Sequence, residues 1–256
     1  MEDNDFYSRS QKVLHLAERK VRLKKTSEAI ELIFNFSEIC LDNQEYALCI
    51  DTASKAVKYG TIDDISISEV YIEKLLTFFH RLHDSIEVSN EMISLHKLLI
   101  LAIKWSKKVY EKGDPRLHEV AGICSLTLNK FMAAQKHLIY SQNMEKLTEV
   151  ILRWMEQAPE FERPFFCLRT TLLILQLSTA ELAEQFVSSM PFNLDAVDTP
   201  LPVQLSYLLT KSLETAKTDP ELGKSLFNKV AYDYRLVLQA DSELNDLVQS
   251  IKNEKF

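Results

Sequence analysis

The chain has 256 residues, of which 46% are hydrophobic and 26% charged, with a net charge of −7. That balance fits a packed soluble protein and excludes a disordered one. Only four glycines are present, against a usual share of ~7%, which argues against glycine-punctuated sheets and phosphate-cradling loops and leaves helices joined by short corners.

Taken in chain order, apolar residues recur at three- and four-residue spacing and no alternating strand pattern persists. The first six residues, "MEDNDF", are acidic and poor in apolar side chains, unlike a signal or transit peptide. The periodicity predicts helices over 5–24, 27–41, 43–59, 67–84, 89–111, 115–128, 130–141, 144–158, 160–177, 179–190, 201–216, 220–238 and 242–254. Gly60 and Gly113 are expected as left-handed residues after helices running out at Tyr59 and Lys112. Ser66 with Glu69, and Ser178 with Glu181, fit capping boxes. Asp114-Pro115 and Asp219-Pro220 each offer a capping carboxylate followed by proline at the first helical position, where its missing N–H matters least.

Corners this short make successive helices antiparallel neighbours. In "NKFMAAQKHLIYS", residues 129–141, an aromatic lies three residues before Ala134 and His137-Leu138 follows, a texture resembling the second helix of a tetratricopeptide-type hairpin. "QEYALCIDTASKAV" at 44–57 is similar. The expected fold is therefore all-α: a single right-handed α-solenoid domain over 1–256, of about thirteen helices in tetratricopeptide-like hairpins. The one long irregular stretch, "PFNLDAVDTP" at 191–200, holds Phe192, Leu194 and Val197 outside any helical period.

Chemistry is sparse. No glycine-rich phosphate loop, Gly-x-Ser-x-Gly elbow or metal-type His/Cys spacing occurs. Cys40, Cys49, Cys124 and Cys167 sit in apolar-periodic segments and read as buried reduced thiols, which points to the cytosol. His80 and His83 share a helix face without the residues of a zinc motif, and Asp63-Asp64 reads as turn and cap. The longest apolar runs, such as "LLILAI" at 98–103, fall short of the ~18 residues of a membrane span. No catalytic residues, metal or cofactor are expected.

Charge is distributed unevenly. Arg9, Lys12, Arg19, Lys20, Arg22, Lys24 and Lys25 surround a single acid, Glu18, so this segment carries +6 and leaves −13 for the remainder. Lys12, His15, Arg19 and Arg22 fall on one helical stripe beside an apolar stripe of Val13, Ala17 and Val21. The stripe reads as a solvated face, as a dock for an acidic protein partner, or as a nucleic-acid surface. The acidic remainder argues against the last.

"AIKWS", "GDPRLH" and "FMAAQKHLI", in this order, resemble the central signature of the Golgi-to-ER traffic protein 4 family. The resemblance continues in "SEAIELIFNFSEICLD" near the N-terminus and in "VILRWMEQAPEFERPFFCLRTTLLIL". It is also present in "TPLPVQLSYLL" and "LFNKVAYDYRLVLQADSELNDLVQSI". What the resemblance implies is a non-enzymatic adaptor of the cytosolic machinery that targets tail-anchored membrane proteins to the endoplasmic reticulum. It implies that the N-terminal half, 1–112, docks on a homodimeric targeting ATPase. The C-terminal half, 113–256, would hold a ubiquitin-like-domain adaptor, and in animals the same subunit also joins a BAG-type scaffold. Neither nucleic-acid binding nor direct membrane insertion is implied. Val203-Gln204 departs from the Asn-Phe of many relatives, and the 191–200 loop is short for the β-hairpin that clasps the adaptor in some of them.

Combined with the residue patterns, Lys12, Arg19 and Arg22 are the expected ATPase contacts, with Arg9, Lys20, Lys24 and Lys25 in support. Phe192, Leu194 and Val197 are expected to wall an apolar groove for the adaptor, floored by Leu201, Leu205 and Leu208; the alternative is that they fold back on their own helices. A generic peptide-binding helical repeat of an unrelated complex and an RNA-binding repeat are the alternative functions.

Overall fold

The computed structural model describes residues 6–86 and 90–256. Met1–Asp5, with most of the acidic N-terminal stretch, and Ser89, where one helix was expected to start, lie outside the described residues. All regular structure among the described residues is helical, and it falls into two compact units, Met1–Lys130 and Phe131–Phe256.

The first unit holds α1 (Phe6–Arg22), α2 (Thr26–Asp42), α3 (Tyr46–Ile62), α4 (Glu69–His83), α5 (Asn90–Ser106) and α6 (Pro115–Thr127). The first three helices are 17 residues long and begin at Phe6, Thr26 and Tyr46, one every 20 residues. Their corners share one device. Lys24, Gln44 and Asp64 each take a positive φ just past a helix end. The following amides, Lys25 N, Glu45 N and Ile65 N, donate back to Lys20 O, Cys40 O and Gly60 O at 2.9, 2.9 and 3.1 Å. That is the Schellman closure, made here without glycine. Asn129, with φ of 55°, closes α6 in the same way.

Helices α2 and α3 form the largest contact of this unit. Helix α2 also packs on α1 and α4 and buries Ile30, Ile33 and Phe34 completely. A hydroxyl pair, Ser37 and Thr52 at 2.7 Å, crosses the dry α2–α3 contact, and each hydroxyl also reaches a carbonyl of its own helix. Both hydroxyls therefore have partners, which offset the desolvation cost of burying them.

Three expectations need correction here. Gly60 is not a left-handed helix terminus: it lies inside α3, buried, where a Cβ would stand 2.4 Å from the indole of Trp105. Its missing side chain makes room for that indole, whose N–H donates to Ile65 O at 2.6 Å. Helix α5 stops at Ser106 rather than near 111, because the Ser106 hydroxyl bonds Ile103 O and accepts the Asp114 amide, both at 2.8 Å. The expected 66–69 capping box is not formed. Ser68 occupies the cap position without a side-chain bond, and Glu69 instead pairs with Arg116 at 2.5 Å.

The Gly113-Asp114-Pro115 corner behaves as expected. Gly113 has φ of 98°, and the buried Asp114 carboxylate accepts the amides of Arg116 and Leu117. Helix α6 then packs back on α4 and α5, so it belongs to the first unit.

The second unit holds α7 (Phe131–Ser141), α8 (Met144–Met155), α9 (Arg163–Leu177), α10 (Ala180–Ser189), α11 (Leu201–Ala216), α12 (Pro220–Asp233), α13 (Arg235–Leu238) and α14 (Ser242–Lys255). A 3₁₀ turn at Glu160–Glu162 leads into α9. Helix α9 is the hub, packing on α7, α8, α10, α11 and α14. Asp219 caps α12 as expected, whereas Thr179 rather than Ser178 caps α10. The stretch expected as one helix over 220–238 breaks at Tyr234, so fourteen helices form among the described residues. Ala134 and Leu138, the small and apolar positions of the tetratricopeptide-like segment, are buried in α7.

Candidate functional site

On α1, Phe6, Ser10, Leu14 and Ala17 are buried and set the helix's inner side. Arg9, Lys12, His15, Arg19 and Arg22 are thereby turned to solvent. Among the described residues no ion pair engages Lys12, Arg19 or Arg22. Lys20 and Lys25 are different: both bind Glu28 of α2, at 2.6 and 3.1 Å, and hold its carboxyl below its ordinary pKa. Lys24 forms the left-handed corner, and Arg9 lies 5.3 Å from the Phe6 ring. Beside the free bases, Leu16 and Leu23 are 50% and 61% exposed. These two leucines were not among the expected site residues, although their seven-residue spacing on the basic side of the helix was readable.

The 191–200 segment is ordered by its own polar groups. Asn193 Oδ1 accepts the Asp195 amide, and the Thr199 hydroxyl donates to Asn193 O and Ala196 O. Gln204 then donates to Thr199 O and accepts the Tyr234 hydroxyl, tying the segment to α11 and the α12–α13 break. Phe192 and Leu194 are half-buried, Val197 is wholly exposed, and Leu201 is 56% exposed. Leu208 is half-buried, whereas Leu205 is fully buried and belongs to the core beneath rather than to an open floor.

Two concavities lie elsewhere in the second unit. One, of about 420 Å³, opens where the chain breaks between α12 and α13 and is lined by Phe227, Tyr232 and Leu238 together with α14. The other, of about 700 Å³, runs between α7, α9 and α14 over Trp154, Phe166 and Leu173. Sequence patterns did not reveal it, because its walls come from helices more than a hundred residues apart.

The four cysteines are buried, and His83, His96 and His118 have hydrogen-bond partners. Burial raises the thiol of Cys40 to about 11 and those of Cys49, Cys124 and Cys167 to about 12. His83 contacts the Thr127 hydroxyl at 3.1 Å, and His96 contacts that of Ser125 at 2.9 Å. His118 Nε2 donates to Lys112 O at 2.9 Å. Burial lowers the pKa of both His96 and His118. Among the described residues no three metal-ligating side chains converge, and no helix is long and apolar enough to cross a membrane.

The family described as GET4, Golgi to ER traffic protein 4, matches residues 23–256. The match begins at Leu23, just past α1, and leaves the whole stripe of Lys12, His15, Arg19 and Arg22 outside it. Among solved structures, the crystal structure of C. therm. Get4 resembles this chain with a TM-score of 0.76 and 20% identity, covering 100% of this chain and 85% of that one. At that identity the likeness shows the fold, an α-solenoid of helical hairpins. No curated protein matches the sequence.

Proposed function

The chain belongs to the Golgi to ER traffic protein 4 family, and from that premise we propose that it is a non-enzymatic adaptor in cytosolic targeting of tail-anchored proteins to the endoplasmic reticulum. It links a ubiquitin-like-domain adaptor, with its chaperones, to the homodimeric targeting ATPase. The observation that carries this reading is the family match over 23–256, nearly the whole chain.

Two surfaces support the division of labour. On α1, Lys12, Arg19 and Arg22 project unpaired beside Leu16 and Leu23, the mixture that suits an acidic protein face: charges steer encounter and leucines add desolvated contact. Arg9 and Lys24 extend the positive field, while Lys20 and Lys25 are partly neutralised by Glu28. In the second unit, Val197 and Leu201 present apolar surface to solvent, with Phe192, Leu194 and Leu208 half-covered and Leu205 packed beneath them. This is the surface we assign to the ubiquitin-like adaptor. In animals a BAG-type scaffold would join the same assembly.

Affinity purification of the tagged chain from cytosol tests the proposal. Recovery of the ATPase and the ubiquitin-like adaptor supports it. Recovery of unrelated proteins alone, or of nuclease-sensitive material, refutes it and favours the generic repeat or the RNA-binding reading respectively.

A further inference from the structure

The groove between α7, α9 and α14 shares no residue with the basic stripe or with the 191–208 surface. Its floor is apolar: Trp154, Phe166, Leu173 and Leu177 are half-buried and lie open to it. Three side-chain donors around that floor already have partners within the chain. Gln135 donates to Thr170 at 2.7 Å, Gln176 donates to Ser250 at 2.8 Å, and Arg169 pairs with Asp241 at 2.5 Å. These donors therefore do not call for a polar ligand, and the floor between them is apolar surface.

The rims differ from the floor. Glu243 and Asp246 stand exposed on the α14 wall, three residues apart and so on one helix face. Lys136 stands exposed on the α7 wall, beside Met132, which is 72% exposed. Among the described residues none of these three charges is in an ion pair. The groove is thus an apolar trough with an acidic bank and a singly basic one. Its floor helix, α9, has 15 residues, so an occupant lying along it would contact the floor over about four turns.

We propose that this groove receives an amphipathic α-helix of a partner protein, with an apolar stripe against α9 and lysine or arginine on the flank facing Glu243 and Asp246. Apolar anchors at i, i+3 or i+4, and i+7 fit a trough walled by two helices. The unpaired carboxylates select the basic flank and fix the direction in which it lies. Met132 adds a flexible, polarizable side chain at the rim that can repack around the arriving anchors.

The test uses the full chain as bait for a display library of randomised helical peptides of ~18 residues, about five turns. Enriched peptides are then synthesised and their binding measured by fluorescence anisotropy. The expected consensus is apolar at helical spacing with basic residues on one flank. Leu173→Glu should weaken those peptides about tenfold or more, and Met132→Glu about fivefold. Glu243→Lys combined with Asp246→Lys should reverse the preference to acidic flanks. Circular dichroism checks that Leu173→Glu folds; if it does not, the exposed Met132→Glu and the charge reversal decide. The proposal is overturned by absence of enrichment, by an acidic or extended proline-rich consensus, or by binding indifferent to Met132→Glu and to the charge reversal.

Discussion

Gly60→Ala replaces the worst ordinary helix former with the best in the interior of α3, which in an open helix would stabilise by about 0.5–1 kcal/mol. Here the sign reverses. The new methyl would lie 2.4 Å from Cε2 and Cζ2 of Trp105 and 2.8 Å from Nε1. Trp105 is fully buried, packs on Tyr71 at 5.7 Å, and is pinned by the 2.6 Å bond from its indole N–H to Ile65 O. A normal carbon contact of ~3.5–4.0 Å needs the indole to retreat by ~1 Å, which strains the packing and breaks that bond. Overpacking costs about 1–3 kcal/mol and an orphaned buried donor about 1–3 kcal/mol, so after the gain in helix propensity the net loss is about 1–5 kcal/mol. Equilibrium urea unfolding should be followed by tryptophan fluorescence in a Trp154→Phe background, where Trp105 is the one remaining tryptophan and reports on the first unit. The penalty should shrink when Trp105 is also changed to Phe, a comparison read by far-UV circular dichroism because no tryptophan then remains. Unchanged or increased stability of Gly60→Ala would refute the reasoning, because helix propensity would then outweigh the indole contact.

Gln44→Gly, at an exposed corner with φ of 63°, should raise stability by about 1 kcal/mol by relieving left-handed strain, read as a higher urea midpoint at unchanged m. His96 and His118 are neutral when folded, because burial lowers their pKa below the ordinary 6.5. The unfolded chain gains protons below about 6.5 that the folded one refuses, so stability should fall as pH drops from 7 toward 5. His96→Gln should flatten that slope in chemical denaturation across pH. Arg19→Glu with Arg22→Glu should weaken ATPase association about tenfold or more at low salt while leaving the melting temperature unchanged; a titration insensitive to both the reversal and salt would make the stripe a solvated face. Phe192→Ser with Leu194→Ser should abolish capture of the ubiquitin-like adaptor and spare the ATPase; loss of both with a lowered melting temperature would mean these side chains serve only their own unit.

The helices were legible because α-helical periodicity is local and every core face repeats it. The Asp114-Pro115 and Asp219-Pro220 starts were legible because cap and proline are neighbours in the chain. Ends were harder to read. Five left-handed corners use Lys24, Gln44, Asp64, Asn129 and Gln142, where glycine was the signal sought, and this explains how so glycine-poor a chain turns so often. Gly60 misled because its reason for being glycine, Trp105, lies 45 residues away. The break at Tyr234 has no proline or glycine to announce it. As for the candidate surfaces, the charge asymmetry around α1 could be counted in the sequence, but the pairing of Lys20 and Lys25 with Glu28 required the α1–α2 packing. The apolar loop was visible as a gap in periodicity. That Val197 is open and Leu205 is core depends on how α11 seats against α9 and α10, which no local pattern encodes.

The central claim is that one chain bridges two partners through separate surfaces. Native mass spectrometry of the purified chain mixed with the ATP-bound targeting ATPase and the N-terminal segment of the ubiquitin-like adaptor tests it most directly. The account predicts a single assembly containing all three, lost when this chain is omitted and reduced to the chain–adaptor pair by Arg19→Glu with Arg22→Glu. Binary complexes that exclude each other, or an ATPase and adaptor that associate equally well without the chain, would contradict it.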